Sequence, residues 1–356
     1  MISRRNLLAT AGAAALLQPE PLAAAYMRGG RGPNIQSGFI FDTDMAGDCD
    51  DVGAQAILSS LARKGLLQID SVICDVNGAT SYNSVCADIL LHWAGLVAPV
   101  YSRKTGTVIG SNYTGQIQVT FGPAYGLQTA TNNSYPDSSV GYRTQLAAAV
   151  SQGRKLTIVC VGSLKCLSDL LNSPADGISS LTGLQLINQG VRQLYQMGGD
   201  TVNITEYNFA LDPAATADVI NNWPQPIVLV GHTLPNFATT PNTTLGNTNP
   251  FQDAYTLHGG SNSWDPICAL MAAGALDLTA KTITLPSGLF APAGVTEVAP
   301  FFSLTQGALT INGSTGASAW AAGAGNQYYL GYASGATQAA LTNLLNFYES
   351  YNDGPH

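Results

Sequence analysis

The stretch Phe39-Ile40-Phe41-Asp42-Thr43-Asp44-Met45-Ala46-Gly47-Asp48-Cys49-Asp50-Asp51-Val52-Gly53-Ala54 places five carboxylates within ten positions, in a chain where only 10% of residues are charged. The apolar run Phe39 to Phe41 reads as a buried strand, and after Gly47 the apolar residues Val52, Ala54, Ile57, Leu58 and Leu61 recur at helical spacing. The carboxylates therefore sit on a strand-to-helix loop. In an open α/β sheet such a loop lies at the carboxyl edge, where ligands bind. Five like charges this close repel one another unless a cation neutralises them. Oxygen donors without a nearby Cys/His pattern suit Ca²⁺ or Mg²⁺. A plainer reading has Asp48 or Asp50 capping the helix and the rest solvated, but capping accounts for only one or two of the five.

Composition narrows the partners. Residues 1–25 read as a twin-arginine export signal: Ser3-Arg4-Arg5-Asn6-Leu7-Leu8, an Ala/Leu-rich apolar segment, then the small-residue site Ala23-Ala24-Ala25. The segment is too short and too Ala-rich for a membrane span, so the expected location is periplasmic or secreted, with no membrane contact after cleavage. Residues 26–36 read as a flexible lead-in, and 37–356 as one domain. Removing Arg4, Arg5 and Glu20 takes the formal charge from −8 to −9. An acidic chain with no basic run argues against nucleic acid as a partner. The six cysteines show no CxxC spacing and speak against a zinc site.

Strand-like runs at 68–76, 97–101, 155–162, 193–198 and 226–231 alternate with helix-like runs at 80–95, 142–152, 164–174, 212–222 and 265–275, and a last helix is expected over 336–350. The alternation predicts an α/β fold with an open, mostly parallel sheet. The Gly/Thr/Asn/Tyr-rich stretch 102–140 reads as a loop over the site, and 280–335 as a small β excursion.

Four later stretches carry polar residues at the ends of these runs. Asp75-Val76-Asn77-Gly78 follows the second strand, and Asn before Gly is also a common turn signal. Val161-Gly162-Ser163-Leu164 follows the 155–162 strand. Met197-Gly198-Gly199 precedes Glu206-Tyr207-Asn208, where a carboxylate and an amide two residues apart in an extended loop point the same way, as a diol requires. Asp212-Pro213 is a helix start. Ser263-Trp264-Asp265-Pro266 opens an apolar helix, where Asp265 reads as an N-cap carboxylate.

Together these stretches resemble the inosine-uridine type nucleoside hydrolases, whose leading motif is Asp-x-Asp-Pro-Gly-x-Asp-Asp. Here the two acidic pairs stand two residues further apart, and Met45-Ala46 replaces Pro-Gly. Either Asp48 or Asp50 fills the first place of the second pair; Asp50 is favoured because it runs directly into the helix. The resemblance implies a Rossmann-like fold and calcium-dependent hydrolysis of the N-glycosidic bond of a nucleoside or related riboside. It implies Asp44 as base and metal ligand, with Asp51, Asp265 and the Val161 carbonyl as further ligands. It puts Asp50, Asn77, Asn203, Glu206, Asn208 and Asp265 on the ribose. Trp264 stands where the family has a proton-donating His; an indole stacks on a base but delivers no proton at neutral pH. His232 and His258 are then the candidate donors, read alternatively as rim histidines, with His232 placed among the substrate-binding residues. Homo-oligomers are common in the family.

Two other readings stand beside this one. Asp42-Thr43-Asp44 and Gly199-Asp200-Thr201-Val202-Asn203 also resemble haloacid-dehalogenase-type phosphatases, but Ile204 replaces that motif's final Asp and the remaining acidic residues go unexplained. A calcium-dependent sugar-binding protein needs no base, so the presence of Asp44 favours catalysis.

Overall fold

The computed structural model describes residues 38–77, 81–200, 204–234 and 249–350, which fall within one compact unit. From the amino end come β1 (Gly38–Thr43), α1 (Asp50–Arg63), β2 (Gln68–Cys74), α2 (Asn83–Trp93), β3 (Val100–Ser102), α3 (Thr114–Phe121), α4 (Ser138–Ser151), β4 (Leu156–Cys160), α5 (Lys165–Leu171), α6 (Gly183–Gly190) and β5 (Val191–Met197). The second half holds β6 (Ile204–Thr205), α7 (Tyr207–Leu211), α8 (Pro213–Asn222), β7 (Ile227–Val230), α9 (Pro250–His258), α10 (Trp264–Ala272), β8 (Ala275–Asp277), β9 (Thr282–Thr284), β10 (Phe302–Ile311), β11 (Ala317–Ala322), β12 (Gln327–Tyr332) and α11 (Gln338–Ser350).

The sheet order is β3-β2-β1-β4-β5-β7-β12-β10-β11-β6, with β9 also pairing β10 and β8. The run from β3 to β12 is parallel throughout, as the alternation of runs predicts. A parallel sheet is covered by helices on both faces, so its strands are apolar on both faces. In β1, Phe39 and Phe41 join one core with α1, α2, α10 and α11, whereas Ile40 between them joins a second core with α4, α5, α6 and α8. Successive side chains on a strand point to opposite faces, so one apolar run feeds both layers. The chain leaves β1 for β2 on one side and later returns to β4 on the other. The carboxyl ends of β1 and β4 thus form the switch point where ligands bind in such sheets.

The stretch 102–140, expected as a loop, contains α3, whose Ile117 and Phe121 bury an apolar face. The β-rich stretch expected over 280–335 extends the sheet: β12 pairs parallel with β7, and β10 continues antiparallel from it. Helices α6, α7 and α9, of eight, five and nine residues, are additional to the runs expected from sequence and too short to show helical periodicity.

Helix α1 sits deep in the first core, with Asp50 through Leu61 all buried. Gly53 is where α10 and α11 close on it: a Cβ there would stand 2.2 Å from the Tyr255 hydroxyl, 2.9 Å from Pro266 Cγ and 3.1 Å from Glu349 Oε1. Gly53→Ala is expected to lower stability by about 1–3 kcal/mol through overpacking, read as a melting temperature several degrees lower; an unchanged value would contradict this packing.

Candidate functional site

The predicted residues collect at the carboxyl edge of the sheet. A cavity is lined by Asp44, Asp48 and Asp50 from the β1–α1 loop, Val161 after β4, Met197 at the end of β5, and Glu206, Tyr207 and Asn208 around α7. His232 after β7 and Trp264 and Asp265 at the start of α10 complete it. The wall is rich in carboxylates and, among the described residues, holds no Lys or Arg.

Local hydrogen bonds shape the acidic loop. The Thr43 hydroxyl donates to Asp51 Oδ1, and the Met45 N–H donates back to Thr43 Oγ1 at 3.1 Å. Asp50 and Asp51 are the first two residues of α1; the N-cap is Cys49, with no side-chain cap. The capping reading of Asp48 or Asp50 therefore does not describe this helix. Asp50 instead ties distant chain together: its Oδ1 accepts from the Ser261 hydroxyl at 3.1 Å and its Oδ2 from the Asp265 N–H at 3.3 Å. Asp265 likewise lies inside α10, whose N-cap is Ser263.

Burial pushes the carboxyls of Asp44, Asp50, Asp51 and Asp265 well above the usual carboxylate range, and their neighbours' negative charges push them further. Such a cluster is stable only with bound protons or a cation. Asp51 Oδ2 is buried without a hydrogen-bond partner among the described residues. An all-oxygen set of carboxylates with one unsatisfied buried oxygen fits a hard divalent cation. The tightest grouping of potential ligand atoms among the described residues lies beneath this set. Asp42, Asp75 and Cys160 are fully buried, and one ligand atom from each lies within 4.8 Å of the others, close enough to share a metal ion. Asp42 Oδ2 accepts from the Tyr142 hydroxyl at 2.5 Å, and burial raises its carboxyl to about 8. Gly162 allows this crowding, since a Cβ there would lie 2.6 Å from Asp75 Oδ2 and 2.7 Å from the Asp44 nitrogen.

On the opposite wall the expected extended loop is instead a helix start. Glu206 is the N-cap of α7, accepting from the N–H groups of Asn208 at 2.9 Å and Phe209 at 3.1 Å. Burial raises its carboxyl to about 7, with those N–H bonds pulling the other way. Asn208 uses its Nδ2 on backbone, donating to the Val161 carbonyl at 2.7 Å, which leaves Oδ1 for a ligand. The Val161 carbonyl, expected to face a metal, thus already accepts one hydrogen bond and keeps its second lone pair.

Asn77 is not brought into the cavity lining. Its N–H bonds the Thr107 carbonyl at 2.7 Å, and it bridges to Val108, so it ties the β2 loop to chain beyond β3. Asn203 lies outside the described residues. Among the predicted donors, His258 does not line the cavity, and its Nδ1 is 3.2 Å from Asn112 Oδ1, whereas His232 lines the cavity. Trp264 does so too, and its Nε1–H donates to the His232 carbonyl at 3.0 Å. Met197 and Asp200 stood in quoted motifs without a site role of their own, and Tyr207 stood in plain view between Glu206 and Asn208; Ser261 carries no local signal.

No protein-family model and no curated protein matches the chain. Among solved structures, the type III effector protein XopQ complexed with adenosine diphosphate ribose aligns over 94% of this chain and 98% of its own, with TM-score 0.57 and 16% identity. The effector protein XOO4466 aligns over 93% and 99%, with TM-score 0.55 and 16% identity. An inosine-guanosine nucleoside hydrolase aligns over 88% and 99%, with TM-score 0.54 and 14% identity. At near-complete coverage of each neighbour, with the acidic cavity at the switch point of the sheet, the chain has the fold of a nucleoside hydrolase, in a divergent form.

Proposed function

We propose that the protein hydrolyses the N-glycosidic bond of uncharged ribonucleosides or a related N-riboside, giving free base and ribose, and that Ca²⁺ is its cofactor. One observation carries the reading: Asp44, Asp50, Asp265, Glu206 and Asn208 converge on one cavity at the switch point of a nucleoside hydrolase fold. Asp44, Asp51, Asp265 and the Val161 carbonyl would hold the ion. When bound, it supplies Lewis acidity that lowers the pKa of a water beside the sugar. Asp44, lining the cavity, takes that water's proton. Glycosidic cleavage passes through an oxocarbenium-like sugar cation, as in O-glycoside hydrolysis, and the surrounding carboxylates stabilise it electrostatically. Asp50 and Asn208 Oδ1 are the hydrogen-bond acceptors that orient ribose hydroxyls. Glu206, its oxygens already accepting two N–H groups, holds the wall in place. The twin-arginine pattern supports an exported enzyme.

The neighbour complexed with ADP-ribose suggests a second ligand class, a nucleoside carrying phosphate. A cavity with several carboxylates and, among the described residues, no Lys or Arg disfavours it, since an anion would lie among like charges. A nucleoside 5′-monophosphate is therefore expected to show kcat/KM at least about tenfold below its parent nucleoside; equal values would restore the phosphate reading.

The direct test is release of ribose from purine and pyrimidine nucleosides, with calcium and with a chelator. Asp44→Asn is expected to lower kcat by about 10²–10⁴-fold while melting in chelator no lower than the parent, because it removes one of several crowded charges. Near-normal turnover would sink the assignment of Asp44.

Calcium at a hundredfold excess over its Kd is expected to add about 2.7 kcal/mol of stability, read as a higher melting temperature that chelator reverses. In chelator, the raised carboxyls of Asp42 (about 8) and Glu206 (about 7) bind protons more tightly folded than unfolded. Their stabilisation is complete below about pH 4 and is lost as pH rises toward 8. The melting temperature should fall across that window without calcium and fall less with it. A calcium-independent profile would remove the metal from the proposal.

A further inference from the structure

Cleaving a nucleoside at neutral pH calls for a proton on the departing base, and the described residues of the cavity wall offer one imidazole. His232 follows β7, with its ring in the wall and 38% of its side chain exposed, while its Nδ1 is buried. That nitrogen lies against Oδ2 of Asp200, a fully buried carboxylate. The other carboxylate oxygen, Oδ1, accepts from the Thr233 hydroxyl at 2.5 Å, and Thr233 Oγ1 is 3.2 Å from the Tyr329 hydroxyl. The Asp200 N–H donates to Ser318 Oγ at 2.9 Å. Asp200 is thus held by Thr233 after β7 and by Ser318 of β11.

Two further contacts hold the histidine itself. The Trp264 indole donates to its carbonyl, and the two rings stand at 62° with centroids 6.5 Å apart. Gly231 lets the strand end come close: a Cβ there would lie 1.6 Å from the Tyr329 hydroxyl and 2.6 Å from the Gly199 carbonyl. A buried carboxylate on one imidazole nitrogen orients the ring and leaves the other nitrogen for chemistry. Here the nitrogen that does not face Asp200 is Nε2.

We propose that His232 is the catalytic acid for the leaving base and that Asp200 is its positioning residue, which deepens the hydrolase reading and rests on it. The His232 Nε2 proton passes to a ring nitrogen of the base as the C1′–N bond breaks and its electron pair moves into the base. Water adds its hydroxide to C1′ and its proton goes to Asp44; solvent exchange then returns Asp44 to its anion and reprotonates His232. The other titratable groups around this pair are Glu206 and Tyr329, both of which feel the Asp200 charge.

The test compares inosine, whose base leaves only with a proton, with p-nitrophenyl riboside, whose leaving group departs as a stable anion. His232→Gln is expected to lower kcat on inosine by about 10²–10⁴-fold, with KM nearly unchanged, and to keep p-nitrophenyl riboside turnover within about threefold of the parent. Asp200→Asn is expected to shift the inosine to p-nitrophenyl riboside ratio in the same direction by a smaller factor, which a merely structural role would not do. Equal losses on both substrates, or no loss on either, would overturn the proposal. A parent protein that cleaves p-nitrophenyl riboside but not inosine would also overturn it while leaving the hydrolase reading standing. Inertness toward both would overturn the hydrolase reading and the pair with it. His232→Gln changes a part-exposed ring, so the outcome does not hinge on whether Asp200→Asn folds.

Discussion

The structure depends on holding mutually repelling carboxylates together in a space that excludes water. Asp42, Asp44, Asp50, Asp51, Asp75 and Asp265 are all nearly or fully buried, and each has its proton affinity raised by burial before any neighbour is counted. Burying charge this way is tolerated only where the surrounding framework is stiff enough to impose it. Here that framework is the parallel sheet. Main-chain pairing of β1 with β2 and β4 fixes where their carboxyl ends lie, and packing of α1 against α10 brings in Asp50, Asp51 and Asp265.

Glycines do the complementary work of allowing backbones to meet. Gly162 lets the end of β4 pass beside Asp75 and Asp44, Gly53 lets α1 meet α10 and α11, and Gly231 lets the end of β7 approach Tyr329. In each place a single methyl group would overlap an atom that serves the cavity or its support. Stability and site are therefore coupled: the positions with least steric room stand next to the groups that carry the chemistry.

The cavity has two differently built halves. The β1–α1 loop and the start of α10 form an oxygen-rich floor, to which Trp264 at the head of α10 adds an indole. The ends of β5 and β7, with α7, form a wall carrying a phenol and an imidazole. The Trp264 indole also holds the His232 backbone through its N–H, so substituting Trp264 would disturb both the cavity lining and the histidine beside it. Glu206 and Asn208 turn much of their hydrogen-bonding capacity inward onto N–H and carbonyl groups, a positioning role beside any contact with ligand.

Much of this was legible in the chain itself. Alternating apolar runs set the parallel sheet, because periodicity is a local property and each strand is buried on both faces. The Asp42–Asp51 cluster pointed to the β1–α1 loop, whose Asp44, Asp48 and Asp50 line the cavity. Asp212 as a helix cap was likewise readable, and its carboxylate accepts from the Ala215 N–H at 3.0 Å. Tertiary structure alone decided the rest. The Asn77 N–H bonds the Thr107 carbonyl, Asp42, Asp75 and Cys160 come within reach of one another, and β12 slots in beside β7. Asp200 meets His232 only because β5 and β7 are neighbours in the sheet. These pairings join residues tens to hundreds of positions apart. No local propensity encodes them, because they arise from strand order and packing, which the whole chain settles together.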